Sequence, residues 1–275
     1  MAIDKAVDST VLDGYFSDIA DAIRDKDGTQ NTYTPAQMPT AIENIPSGSS
    51  YDWSAIGYNE EPSVIQKGYN YAVQFANNWE NLNDLTDAHK NDRNLIFLPA
   101  VDMSNTTIAV RTFQGCTSLT TIPSLNMSNV VYPNYTFQNC SALIEVPPLN
   151  LSNAEATQYM FSGCACLETV GQLQTGKLSN ARGMFQGCIN LKNISVFDTS
   201  KLSGSNSLNG TFSECSRLTD ASLDNILQMC INATSYTATK TLARLGLTST
   251  NYPASRIEAL PHYEDFIDAG WTTGF

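Results

Sequence analysis

The residues of this 275-residue chain best suited to chemistry at neutral pH are two histidines and seven cysteines. A histidine can exchange a proton near pH 7, and a thiolate can attack a carbonyl or ligate a metal. His89 and His262 lie far apart, in segments expected to be different caps, and both read as surface or packing residues. Cys164 and Cys166 form a C-x-C pair, but Cys116, Cys140, Cys164, Cys188 and Cys215 occupy one repeated column. With no His or acidic pattern repeating beside it, that column reads as a stack of small buried thiols and not as a metal ladder. The odd cysteine count points to reduced thiols. G-x-S-x-G, a phosphate-cradling glycine loop and H-E-x-x-H are all missing. The expectation is therefore a protein that is not an enzyme, with no catalytic residue, no metal site and no cofactor.

What positions the cysteines is a repeat. "TFQGCTSLTTIPSLNMSN" from Thr112 returns as "TFQNCSALIEVPPLNLSN" from Thr136, and shorter copies begin at Met160, Met184 and Thr211. Phe113, Phe137, Phe161 and Phe185 follow a 24-residue step, and Phe212 comes 27 residues later. Leu119, Leu143, Leu167, Leu191 and Leu218 keep the same step. A period in this range marks a solenoid, in which each copy buries its apolar face only against its neighbours. The L-x-x-I-x-x-L spacing at Leu119, Ile122 and Leu125 predicts one short strand per copy, with neighbouring strands about 4.8 Å apart. The three-residue step from Phe to Cys predicts a single tight helical turn. "NMSN", "NLSN" and "DTSK" supply polar side chains that hold a second bend. "NLIFLPAVDMSN" from Asn94 lacks the Phe and Cys and reads as an atypical first repeat.

The F-x-x-C-x-x-L-x-x-I/V pattern followed by S-N resembles the BspA-like leucine-rich repeats of bacterial and phage surface proteins. That resemblance implies an α/β repeat solenoid that binds other surfaces and is not an enzyme. Two departures from the pattern are Thr in place of Met at Thr112, Thr136 and Thr211, and the loss of Asp at most S-N turns.

Outside the array, "VLDGYFSDIADAIRDKDG" sets Leu12, Phe16, Ile19, Ala20 and Ile23 on one side of a helix that Gly28 ends. A second short helix is expected in "TPAQMPTAIENI", with Met38, Ile42 and Ile45 inward, followed by the linker "PSGSS". Residues 17–45 resemble a helical module of tail proteins from phages and prophages of Gram-positive bacteria, I-A-D-A-I-R followed by T/P-x-x-M-P-x-x-I. The resemblance implies attachment to other tail or baseplate proteins, for which Ile19, Ile23, Met38 and Ile42 are the candidate contacts. A helix from Pro62 to about Asn78 is expected to cover the first repeat. Three short helices ending near Trp271 are expected to cover the last. The expected organisation is a helical attachment module at 1–47, linker and N-terminal cap at 48–93, solenoid at 94–219 and helical C-terminal cap at 220–275.

Charge and hydropathy limit the partners. The net charge of −12 divides into −5 over residues 1–50, −4 over 51–94, zero over 95–219 and −3 over 220–275. An acidic chain with neutral repeats is not expected to bind nucleic acid, which demands cations facing the phosphates. No run of 18 apolar residues exists, so no membrane insertion is expected. "MAIDKAVDST" does not read as a secretory signal, which suggests synthesis in a host cytoplasm and a place in a virion. The leading expectation is a phage tail fibre or tip protein whose repeats bind a bacterial cell-surface glycan or protein. A passive decorating virion protein and a bacterial surface adhesin are the alternatives, and a homotrimer fits this class of particle. The candidate receptor face is the varied strand positions Thr121, Glu145, Thr169 and Asn193, with Glu168 and Lys192 beside them.

Overall fold

The computed structural model describes residues 83–93, 95–98 and 103–275. The expected module at 1–47, with Ile19, Ile23, Met38 and Ile42, and the helix expected from Pro62 lie outside those residues.

Each copy of the repeat makes one turn of a coil in which many backbone hydrogen bonds run from one turn to the next. The Phe-x-x-Cys step closes a tight turn, with the Cys116, Cys140 and Cys164 amides donating to the carbonyls of Phe113, Phe137 and Phe161 at 3.1–3.2 Å. The Phe amides instead reach the following turn, Phe113 to Thr136 O at 2.8 Å and Phe137 to Met160 O at 2.9 Å. Backbone groups are thus satisfied between copies, which is why one copy alone would be unstable. The Phe rings form a continuous ladder at 0–1% exposure. Successive centroids from Phe113 to Phe212 are 5.2, 5.6, 5.7 and 5.7 Å apart, with planes within 11° of parallel.

Two further columns tie the coil from inside. Every thiol of the Cys column donates to a carbonyl of the preceding turn, Cys140 Sγ to Phe113 O and Cys164 Sγ to Phe137 O at 3.2 Å. The Thr departures from the repeat pattern have the same logic. Thr112 donates to Leu85 O at 3.0 Å, Thr136 to Ala109 O at 2.7 Å and Thr211 to Ala181 O at 3.2 Å, and all three residues are fully buried. A buried hydroxyl is tolerated there because it has an acceptor.

The expected single strand per copy is split in two. β1 (Glu145–Val146), β3 (Thr169–Val170) and β5 (Asn193–Ile194) form one parallel sheet, and β2 (Leu149–Asn150) with β4 (Leu173–Gln174) forms another. Pro147 and Pro148 stand between β1 and β2, where proline cannot donate to a ladder. Other copies are joined by single parallel bridges such as Phe97 to Thr121 and Ile108 to Tyr132. The sheets stay open and the regular structure is sparse, so turns carry much of the coil.

The repeat also begins upstream of residue 94. Asp84 bridges Ile108, and Leu85 N donates to Ile108 O at 2.9 Å. His89, expected in a cap, takes the place that Phe113 holds one turn later.

After the last repeat come α1 (Asp220–Asn232), α2 (Leu242–Leu245), α3 (Ala254–Glu258) and α4 (Tyr263–Asp268). Thr219 caps α1 by accepting from Ser222 N, and Leu223, Ile226, Leu227 and Cys230 form its buried stripe. Side chains of α1 meet the free edge of β5. Ser222 Oγ accepts from Ile194 N at 3.1 Å and donates to Lys192 O at 2.8 Å, and Asn225 Nδ2 donates to Ile194 O at 2.9 Å. Four helices stand where three were expected, because Pro261 separates α3 from α4.

Candidate functional site

The strand positions read from the sequence do share one face. Parallel pairing sets Glu145 beside Thr169 and Thr169 beside Asn193, and in the same column Thr121 bridges Phe97. Their even-numbered neighbours Val146, Val170 and Ile194 point into the core, as the period of two demands. Thr121, Glu145 and Asn193 are exposed, and Thr169 is half-buried. In the adjoining column Lys192 Nζ lies 2.8 Å from Glu168 Oε2, with both side chains well exposed. Ile144 stands next to them at 50% exposure. The face is shallow, with mixed polar, charged and apolar groups repeating at the step of the coil. It offers hydrogen bonding, ion pairing and apolar contact.

A second surface column is defined by its backbone conformation and not by a repeated residue type, although Tyr135 and Tyr159 stand out in the sequence on the other side of the turn. Asp87, Arg111, Tyr135, Tyr159 and Gly183 hold equivalent places in five successive turns, and all have positive φ between 53° and 61°. L-residues adopt this left-handed region rarely, at a cost that glycine avoids. Contacts along the column offset it. Arg111 Nε and Nη2 donate to the two carboxylate oxygens of Asp87 at 2.7 and 2.9 Å, and these bonds hold that carboxyl below its usual range. Tyr135 and Tyr159 stack at 5.4 Å, and the Arg182 guanidinium lies 5.9 Å from the Tyr159 ring centre.

The coil also carries a groove of about 320 Å³. Ser124, Asn126, Pro148, Asn150, Gln172 and Gln174, from three successive turns, line it. The sequence reading took its asparagines only as bend residues. That role holds as well, since Asn126 and Asn150 accept from the Ser128 and Ser152 amides.

Proton and metal chemistry finds no assembled centre among the described residues, where no group of three His, Cys, Asp or Glu side chains comes together. His89 is stacked in the coil, and burial pulls its pKa down to about 4. His262 Nδ1 lies 2.8 Å from Asp224 Oδ2, joining α4 to α1. Burial pushes the Cys116 and Cys215 thiols up to about 12 and raises Cys140, Cys164 and Cys188 as well. All seven cysteines are free, and Cys166 alone of them is exposed. No described helix is long and apolar enough to cross a membrane.

Comparison with curated proteins and with solved structures gave no match. The sequence does match the family described as BspA type leucine rich repeat region, in six copies, over residues 94–219 and 157–253. The periodic Phe, Cys and Leu columns, the turn-to-turn hydrogen bonds and a match reaching over residues 94–253, more than half of the chain, converge: this chain belongs to the BspA-type leucine-rich repeat family.

Proposed function

We propose that this chain is a non-enzymatic, surface-binding repeat protein that serves as a phage tail fibre or tip component. The observation that carries the binding role is the strand face. Glu145, Thr169 and Asn193 differ from turn to turn, while Val146, Val170 and Ile194 beneath them stay apolar. A coil of this kind fixes its core and leaves an adjacent column free to vary, giving a flat face of evenly spaced contacts. Thr121, Glu145, Glu168, Thr169, Lys192 and Asn193 meet a bacterial cell-surface glycan or protein through many weak contacts. Several copies per particle, as in a homotrimer, multiply them. Helices α1–α4 act as the closing cap.

The tail assignment is supported by the resemblance of residues 17–45, through which Ile19, Ile23, Met38 and Ile42 would engage tail or baseplate proteins. The chain would be made in the host cytoplasm and work in the virion. A second reading, a bacterial surface adhesin, is favoured by the family match, which covers repeats and not this module. Detection of the chain in purified particles, as against the cell envelope, separates the two.

The binding role is tested by reversing charge at three positions together, Glu145→Lys, Glu168→Lys and Lys192→Glu. Host adsorption should weaken while the melting temperature stays within a few degrees, since exposed pairs contribute about 0–1 kcal/mol. Unchanged adsorption would remove this face as the receptor site.

A further inference from the structure

The groove lined by Ser124, Asn126, Pro148, Asn150, Gln172 and Gln174 has a hydrogen-bonding inventory of its own. Asn126 Oδ1 accepts from Ser128 N at 3.3 Å and Asn150 Oδ1 from Ser152 N at 3.1 Å, so both side chains are held by their own turns. The Nδ2 groups take no part in these turn bonds and serve as donors lining the groove. Gln172 has the reverse arrangement. Its Nε2 donates to Val196 O at 2.7 Å, leaving Oε1 as an acceptor. Gln174 adds an exposed amide, and no charged side chain lines the groove. Its long direction follows the stack, so the donors recur once per turn, about 4.8 Å apart.

We propose that this groove binds a neutral glycan chain lying along the solenoid. Sugar hydroxyls both donate and accept, which suits alternating amide NH₂ and carbonyl groups, and the exposed Pro148 ring offers an apolar surface to the C–H face of a pyranose. An extended peptide fits less well, because adding a strand demands an open main-chain edge. Here Leu149 N already donates to Gln172 O at 3.0 Å and Leu151 N to Gln174 O at 2.9 Å. A polyanion is disfavoured because the groove holds no cation. The site is separate from the strand face and does not depend on it.

Asp198 shows how to test this. It follows Asn126, Asn150 and Gln174 in the same column, and its Oδ1 accepts from Ser200 N at 2.8 Å, so aspartate makes the same turn as asparagine. The double variant Asn126→Asp, Asn150→Asp therefore keeps the turns and the fold but replaces two donors by anionic acceptors. The full chain is titrated calorimetrically with cellohexaose, chitohexaose, polygalacturonate and an unstructured polar peptide. At least one neutral oligosaccharide should bind, and the double variant should weaken it by about tenfold or more. The triple charge reversal of the strand face should leave that binding unchanged. The proposal is overturned if neither neutral oligosaccharide binds at about 10 mM, if the double variant binds equally well, or if the polyanion or peptide is preferred. Failure of the strand-face reading shows separately, as unaltered host adsorption in the triple variant.

Discussion

The imidazole of His89 stacks on the ring of Phe113, with centroids 6.0 Å apart and planes 17° from parallel. It forms a rung of the Phe ladder, and the Cys116 thiol donates to its carbonyl at 3.1 Å. The ring sits there as the neutral imidazole because burial disfavours its charged form.

Acid sensitivity at this end of the coil follows. Burial lowers the folded pKa of His89 from 6.5 to about 4, against a smaller opposing pull from Asp92. Between those values the unfolded chain binds a proton that the folded chain does not. Stability therefore falls as pH drops from about 6.5 to about 4 and levels off below, by at most about 3 kcal/mol. His89→Phe should abolish this part of the acid loss, as read from urea midpoints at about pH 7 and about pH 4.5. An acid loss of equal size in the variant would count against it.

The left-handed column predicts a coupled pair. A Cβ on Gly183 would sit 2.3 Å from the Tyr159 ring, at a backbone φ of +59°. Gly183→Ala should cost about 1–2 kcal/mol in backbone strain, plus about 0.5–1.5 kcal/mol if Tyr159 is forced off Tyr135. Tyr159→Ala removes the clash and the stack together. The double variant should then be more stable than the sum of the two single losses predicts, by on the order of 1 kcal/mol in a thermal-unfolding cycle. Strict additivity would show that the ring does not rest on Gly183.

What the sequence revealed of this fold, and what it concealed, divides along physical lines. The Phe, Cys and Leu columns were legible because a stacked core restricts those positions to apolar residues of similar size. The strand face followed from them, since alternation places Glu145 opposite Val146. The left-handed column was hidden because Asp87, Arg111, Tyr135 and Tyr159 share no composition, only a φ that glycine would have advertised. His89 was hidden because it matches Phe113 in shape and not in polarity. The groove was hidden because Asn126 and Asn150 already had a sufficient reason to be asparagine in closing their bends, and the second use of the same side chain leaves no separate mark.

The cysteine column gives the last prediction, because accessibility and acidity agree there. Cys116, Cys140, Cys164, Cys188, Cys215 and Cys230 are buried at 0–1% exposure, and burial raises the pKa of each. The five in the column also donate to carbonyls of neighbouring turns. A thiol so placed reacts only after its turn opens, since the attacking species is the solvent-exposed thiolate. Cys166, two residues beyond the column member Cys164, is exposed. A disulfide reagent added to the native protein near pH 8 should therefore consume one thiol rapidly and release the remaining six only as urea unfolds the coil. Cys166→Ser should remove the rapid phase and leave the slow one unchanged. Two or more rapid thiols in the native protein would mean that the stack opens without global unfolding. The thiol column would then be a hinge between turns and not a fastening.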